Sequence, residues 1–224
     1  MLGHRGVKTF LSREGINLSK TTVHKYMNQV LGLQSVVLRK KPRYYKGEQY
    51  KILPNLINQQ FEVAKKNKVW CTDFTYIRLA TGKMRYNCTI LDLHDRYVVA
   101  TMNSDYINTD LALDTLKAAL IAEDPGTGLI LHSDRGSQFT SFDYVSFCKE
   151  NGITQSMSRA GCPYDNAPME RFYNTMKQEL IYRKKFYTEL QMDEEIKRYV
   201  LMWYNHKRPH ANNGYLTPMQ KRWE

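Results

Sequence analysis

Three carboxylates stand out by where they fall. Asp73 lies midway along the strand-like run VWCTDFTYIRL, between Trp70 and Phe74. Asp134 ends the run LILHSD, whose first residues are apolar enough to be buried on both faces of a sheet. The C-terminal end of such a strand is where open α/β sheets bind ligands. Glu170 belongs to CPYDNAPMERFYNTMKQEL, residues 162–180. Sixty residues separate Asp73 from Asp134, and 35 separate Asp134 from Glu170. An acid buried without a partner is costly, and hard divalent cations suit several oxygen ligands at once. Three carboxylates on adjacent elements can hold two Mg²⁺ about 4 Å apart, which activate a water or a sugar 3′-OH and steady the leaving oxygen during in-line attack on a phosphodiester. Taken singly, each acid also has a plain structural reading: Asp73 at a strand edge, Asp134-Arg135-Gly136 as a turn, Glu170 as a surface acid. No Ser/His/Asp or Cys/His arrangement competes, and no phosphate-binding glycine loop is present.

The elements that must position these acids are legible from periodicity. Residues 162–180 predict a helix. Asp165 and Asn166 can cap it, Pro168 suits its first turn, and Met169, Phe172, Tyr173, Met176 and Leu180 form one apolar stripe. Glu170 and Lys177 lie nearly two turns apart on a shared face, which taken alone reads as a solvated ion pair. Upstream, strands are predicted from Val69, over Met84–Leu93 and over Arg96–Met102, with a turn at Thr81-Gly82-Lys83. A helix over Asn108–Ala122, a strand at Gly128–His132, a helix over Phe142–Lys149 capped by Ser141 and a strand at Ile153–Met157 follow. A last helix spans about Leu190 to Tyr204. This order predicts an α/β fold: a mixed sheet covered by helices on both faces. Trp70, Tyr76 and Trp203 are expected in the core. His132 is expected to be packed or to face a phosphate, and Asp92 to be a turn residue or an outer acid beside the metal site.

Charge divides the chain. The whole carries +11, but residues 1–51 hold 11 Lys/Arg against 2 Asp/Glu, residues 52–170 hold 11 against 14, and residues 171–224 hold 11 against 6. Basic flanks around a slightly acidic middle suit nucleic acid held at the ends with carboxylates gathered between. Residues 5–33 predict two short helices, Gly6–Glu14 and Lys20–Leu31, with Ser19 as N-cap and glycines closing each. Val23, Met27, Val30 and Leu31 are expected inside, leaving Lys20, Thr21, His24 and Lys25 to face a DNA groove as in a helix-turn-helix. Residues 38–51, LRKKPRYYKGEQYK, read as a basic linker. Four scattered cysteines without a C-x-x-C argue against structural zinc or a disulfide scaffold and suit reduced thiols in the cytoplasm. Neither a membrane-spanning run nor the apolar core of a signal peptide is found.

The segments PNLINQQF (54–61), VWCTDFTYI (69–77), LHSDRGSQFTS (131–141), SMSRAGCPYDNAPMERFYNTMKQEL (156–180), YNHKRPH (204–210) and YLTP (215–218) together resemble the transposases of bacterial insertion sequences of the IS-three family, in particular their second-reading-frame product. Asn213 stands where that family usually has leucine. The resemblance implies a ribonuclease-H-like, retroviral-integrase-type core with five strands in the order 3-2-1-4-5. It assigns Asp73, Asp134 and Glu170 as the catalytic, metal-binding D-D-E triad, with two Mg²⁺ or Mn²⁺ ions. Lys177 becomes the contact to the element's DNA end, and Arg208 and His210 are expected to face DNA or to serve the fold. Implied partners are double-stranded DNA, both terminal repeats and target, a homo-oligomer on that DNA, and a first-frame protein or frameshift fusion. The expected layout is a helix-turn-helix segment (1–36), a basic linker (37–65), a catalytic core (66–185) and a C-terminal helical extension (186–224), in a bacterial, nucleoid-associated protein; its start downstream of the family's usual front end leaves a truncated copy and a self-sufficient chain as alternatives. The expected activity is metal-dependent cleavage at insertion-sequence ends and 3′-OH strand transfer. The alternatives are a metal-dependent nuclease of the same fold, or a non-catalytic DNA-binding fragment that regulates transposition.

Overall fold

A computed structural model describes residues 4–33 and 52–224. It divides into two units, the second beginning at Glu48. Residues 37–51 of the expected linker lie outside the described residues.

In the first unit α1 (His4–Arg13) is followed by α2 (Lys20–Lys25), which continues as a π-helical turn over Tyr26–Val30. Ser19 caps α2 by accepting from the Thr22 N–H at 3.0 Å. Val23 and Met27 are buried as expected, but Val30 and Leu31 are exposed. The wider π turn moves both off the inner stripe that a regular 3.6-residue repeat would give them. Lys20, Thr21, His24 and Lys25 lie on the exposed side.

The second unit is built on a five-stranded sheet in the order β3-β2-β1-β4-β5, with β1 Val69–Arg78, β2 Met84–Asp92, β3 Val98–Ser104, β4 Ile130–Ser133 and β5 Thr154–Met157. The β1–β2 and β2–β3 pairs are antiparallel, and β1–β4 and β4–β5 are parallel. The third strand starts later than its sequence pattern suggests. Arg96 sits at φ 62 in the tight connection from β2, where no ladder can begin. Side-chain alternation sorts the strands into two cores. Cys71, Ile77 and Leu91 pack with α5 (Ala167–Glu179) and α6 (Glu189–Arg198) through Met169, Phe172, Met176 and Ile196. Trp70, Ile90 and Leu131 pack on the other face with α3 (Thr109–Glu123) and α4 (Phe142–Glu150) through Leu116 and Tyr144. This is the expected α/β ribonuclease-H-like sheet, with helices on both faces.

Two expected core aromatics are not core: Tyr76 is 65% and Trp203 47% exposed, whereas Trp70 is fully buried. Among the described residues, β1 pairs with β4 only as far as Cys71, so Tyr76 stands beyond the neighbour that would have covered it. α6 continues as a π-helical stretch, Tyr199–Tyr204, which buries Val200 and Tyr204 and turns Trp203 outward. Asn213 fills its apolar slot by a polar route. It is buried, and its amide donates to the Asp95 carbonyl at 2.6 Å. Three of the four free cysteines are buried, and among the described residues no helix is long and apolar enough to cross a membrane.

Candidate active site

The two aspartates are set level by sheet register. β1 and β4 run parallel with Cys71 opposite His132. Two residues further, just past the end of β4 at Ser133, the same register places Asp134 beside Asp73. Asp134 then folds back on its own turn, its Oδ1 accepting from the Gly136 N–H at 2.9 Å, as Asp does in tight turns. A β-carbon on Gly136 would lie 3.0 Å from that Oδ1 and 2.9 Å from Gln138 Oε1. Gly136→Ala is therefore expected to turn the Asp134 carboxylate aside. A crystal structure of the variant should show that carboxylate rotated away while the thermal midpoint scarcely moves, and an unmoved carboxylate would contradict this.

Helix α5 brings the third acid. A 3₁₀ turn, Pro163–Asn166, precedes it, so the α-helix starts later than Cys162. Neither predicted cap residue caps by its side chain. Asn166 stands at the N-cap position but makes no side-chain cap bond, and its amide donates instead to the Thr72 carbonyl at 3.2 Å. Asp165 is buried and accepts from Asn55 Nδ2, Gln59 Nε2 and the Arg159 guanidinium, at 3.0, 2.7 and 2.9 Å. Arg159 and Gln59 hold its carboxyl far below the usual carboxylate range. Tyr173 Oη donates to the Asp73 carbonyl at 2.6 Å. Asn166, Glu170, Tyr173 and Lys177 follow one another at four, three and four residues, a single helical face. Two of these four are pinned to the backbone on either side of the Asp73 side chain, which fixes the direction in which Glu170 points. From sequence Tyr173 reads as part of the apolar stripe, where it is indeed buried, and Asn166 reads as a cap. Their i, i+4, i+7, i+11 spacing with Lys177 was the signal available.

Asp73, Asp134 and Glu170 line one cavity of about 540 Å³, together with Arg135, Gly136, Arg159, Cys162 and Asn166. Burial, the Asp134 charge and, less strongly, the Glu170 charge push the Asp73 carboxyl up to about 7, against the Phe74 N–H and Lys177. Among the described residues, no three His, Cys, Asp or Glu side chains stand close enough together to hold a metal ion. The triad instead surrounds an open space, as mutually repelling carboxylates do. An all-oxygen donor set fits Mg²⁺ or Mn²⁺. So does the Asn166 Oδ1, buried in the cavity wall with no hydrogen-bond partner and able to accept from an ion's water shell.

Lys177 lies beside this site with its Nζ 4.9 Å from the centre of the exposed Tyr76 ring, a cation–π contact. Burial lowers its pKa and the Asp73 charge opposes that shift. His132 is fully buried and outside the cavity. Its Nδ1 and Nε2 bond Ser156 Oγ and Ser158 Oγ at 2.8 and 3.1 Å, and burial depresses its pKa. Asp92 is the fully buried last residue of β2; it accepts from the His94 and Asn67 N–H groups, pairs with Arg222, and is not among the residues lining the triad's cavity. Arg208 bonds Glu179 Oε1 at 2.9 Å, while His210 lines a separate cavity. Arg135 and Arg159 also line the triad's cavity; the sequence places Arg135 only in a turn, because a single arginine beside a turn carries no pattern.

Residues 63–163 match the description "Integrase core domain", and residues 151–218 match a second family description with the same wording. The chain is 39% identical over 209 residues to the transposase for insertion sequence element IS904 of Lactococcus lactis, covering 93% of this chain and 82% of that protein. It is 34% identical over 190 residues to the transposase InsF for insertion sequence IS3A of Escherichia coli, covering 84% and 66%. The structure of the HTLV-2 integrase catalytic core domain in complex with magnesium superimposes with a TM-score of 0.54 at 18% identity, covering 71% of this chain and 98% of that one.

Proposed function

The chain belongs to the IS-three family of insertion-sequence transposases with an integrase core, and from that membership we propose that it cuts DNA at the ends of an insertion sequence and joins the freed 3′ ends to target DNA. The observation that carries this reading is the convergence of Asp73, Asp134 and Glu170 on one cavity from three distant parts of the chain. The triad would hold two Mg²⁺ or Mn²⁺ ions, which supply Lewis acidity to the attacking and leaving oxygens. The other groups bind and orient. Arg135 and Lys177 would take phosphates of the DNA end, Arg159 is tied to Asp165, and Asn166 and Tyr173 hold α5 against β1. In the first step water attacks the phosphodiester at the element end, leaving a 3′-OH on one strand and a 5′-phosphate on the other fragment. In the second, that 3′-OH attacks a target phosphodiester, forming one new bond as one is broken. Joining two ends calls for more than one protomer on the DNA. In the first unit, the exposed Lys20, Thr21, His24 and Lys25 would add groove contacts.

The test is incubation of the 224-residue chain with a labelled terminal-repeat duplex and a target plasmid, with Mg²⁺ or with chelator. Metal-dependent nicking followed by joined product is expected. Nicking without joining would identify a nuclease of the same fold, and binding without either would identify a DNA-binding regulator. Both outcomes would overturn the proposal.

A further inference from the structure

A second cavity, of about 180 Å³, opens against the first turns of α5 and is lined by Arg96, Ala167, Arg171, Tyr204, His210 and Asn212 among others. At 100° per residue, Ala167 and Arg171 lie about 100° round α5 from Asn166 and Glu170, and no residue lining the triad's cavity lines this one. No carboxylate lies among its lining residues. Arg96 is 93% buried, and its guanidinium is held by two carbonyl oxygens, of Leu93 and Phe61. Burial lowers its pKa. His210 Nδ1 is buried without a hydrogen-bond partner. Burial, with Arg96, Arg208 and Arg171 nearby, depresses that imidazole to about 4, so the ring is neutral at physiological pH and can place its proton on Nδ1. Arg171 is exposed at the same cavity. The positive end of the 13-residue α5 adds its dipole.

Buried positive charge, a polar nitrogen without a partner and a helix N-terminus around one small space describe a seat for a tetrahedral oxyanion. We propose that this cavity is a phosphate subsite that takes a backbone phosphate of duplex DNA, with Arg171 and His210 as the contacting side chains and Arg96 as the buried charge behind them. The proposal rests on the reading of DNA as substrate but not on the triad's chemistry. It gives His210 a DNA contact and leaves Arg208, tied to Glu179, as the residue that holds the segment in place.

The test measures binding alone, without divalent cation, so that it stands or falls separately from cleavage. Duplex affinity of the full chain is measured against salt concentration for the wild type, Arg171→Ala, Arg171→Lys and His210→Gln. Each lost phosphate contact should make the log–log salt slope shallower by about 0.9. That is expected for Arg171→Ala and not for Arg171→Lys, while His210→Gln should weaken binding with little change of slope. In parallel, the His210 ring resonances are followed as duplex or inorganic phosphate is added, and both should shift them. An unchanged slope in Arg171→Ala overturns the subsite. Resonances that respond to inorganic phosphate but not to duplex assign the cavity to free phosphate and overturn the DNA commitment. Arg171 is exposed, so its substitution leaves the fold intact and decides the question even if His210→Gln fails to fold.

Discussion

Glu170→Gln is expected to abolish metal-dependent cleavage while leaving duplex binding within a fewfold of wild type. The substitution keeps size and hydrogen bonding and removes one negative charge. Loss of a carboxylate that holds a catalytic cation forfeits several kcal/mol of charge stabilisation, which is about three decades or more in rate. The scaffold should survive, because the contacts that dock α5 come from Asn166 and Tyr173 and from the buried Met169, Phe172 and Met176, not from Glu170. Single-turnover cleavage and filter binding on the same preparation separate the two effects. Cleavage at wild-type rate in the variant would remove Glu170 from the triad.

Arg222→Met is expected to be the most damaging change for stability, at a residue that does not line the triad's cavity. Arg222 lies on α7 (Pro218–Arg222), which begins with a capping box between Thr217 and Gln220. Its guanidinium is almost wholly buried and bonds Asp95 Oδ2 at 2.5 Å, Glu123 Oε2 at 2.6 Å, Asn67 Oδ1 at 2.9 Å and Asp92 Oδ2 at 3.3 Å. Methionine fills part of the volume but strands two fully buried carboxylates. Removing one partner of a buried ion cluster costs about 3–5 kcal/mol. The loss should depend on pH. Burial and the Asp92 charge raise Asp95 to about 6 even with Arg222 present, so its folded pKa lies above the ordinary value of 3.8. Ionising Asp95 therefore costs stability, and that cost grows as pH rises through this window. Without Arg222 the folded pKa rises further. The deficit of the variant should be greatest near pH 8 and shrink toward pH 5, where Asp95 keeps its proton. Urea unfolding at the two pH values measures this. Equal midpoints for the two proteins at pH 8 would contradict it.

These two residues also mark what a sequence can and cannot reveal here. Asp134 is legible because the apolar run before it must be a buried strand, and an acid at that strand's end has few ordinary uses. Asp73 is legible because it interrupts an otherwise apolar strand. Glu170 becomes legible only beside those two, since alone it is one acid on a charged helix face. Arg222 left no local trace. Asp92 and Asp95 lie 130 and 127 residues away, and no periodicity reports a partner at that range. Tyr76 and Trp203 read as core yet stand exposed for a related reason. Aromatic residues are usually core, but whether a strand keeps its neighbour past Cys71, or a helix widens at Tyr199, is decided by tertiary packing. Asp165 and Asn166 had the right types for caps, and the fold used them instead to tie the approach to α5 onto β1 and residues 55–59.

The claim that the three carboxylates act together as a cation site is tested most directly by Mn²⁺ uptake, read from the electron paramagnetic resonance of the free ion as the DNA-bound chain is titrated. Wild type is expected to withdraw Mn²⁺ from solution, and Asp73→Asn, Asp134→Asn and Glu170→Gln should each weaken that uptake, with all three together abolishing it. Uptake by the triple variant equal to that of wild type would contradict the account.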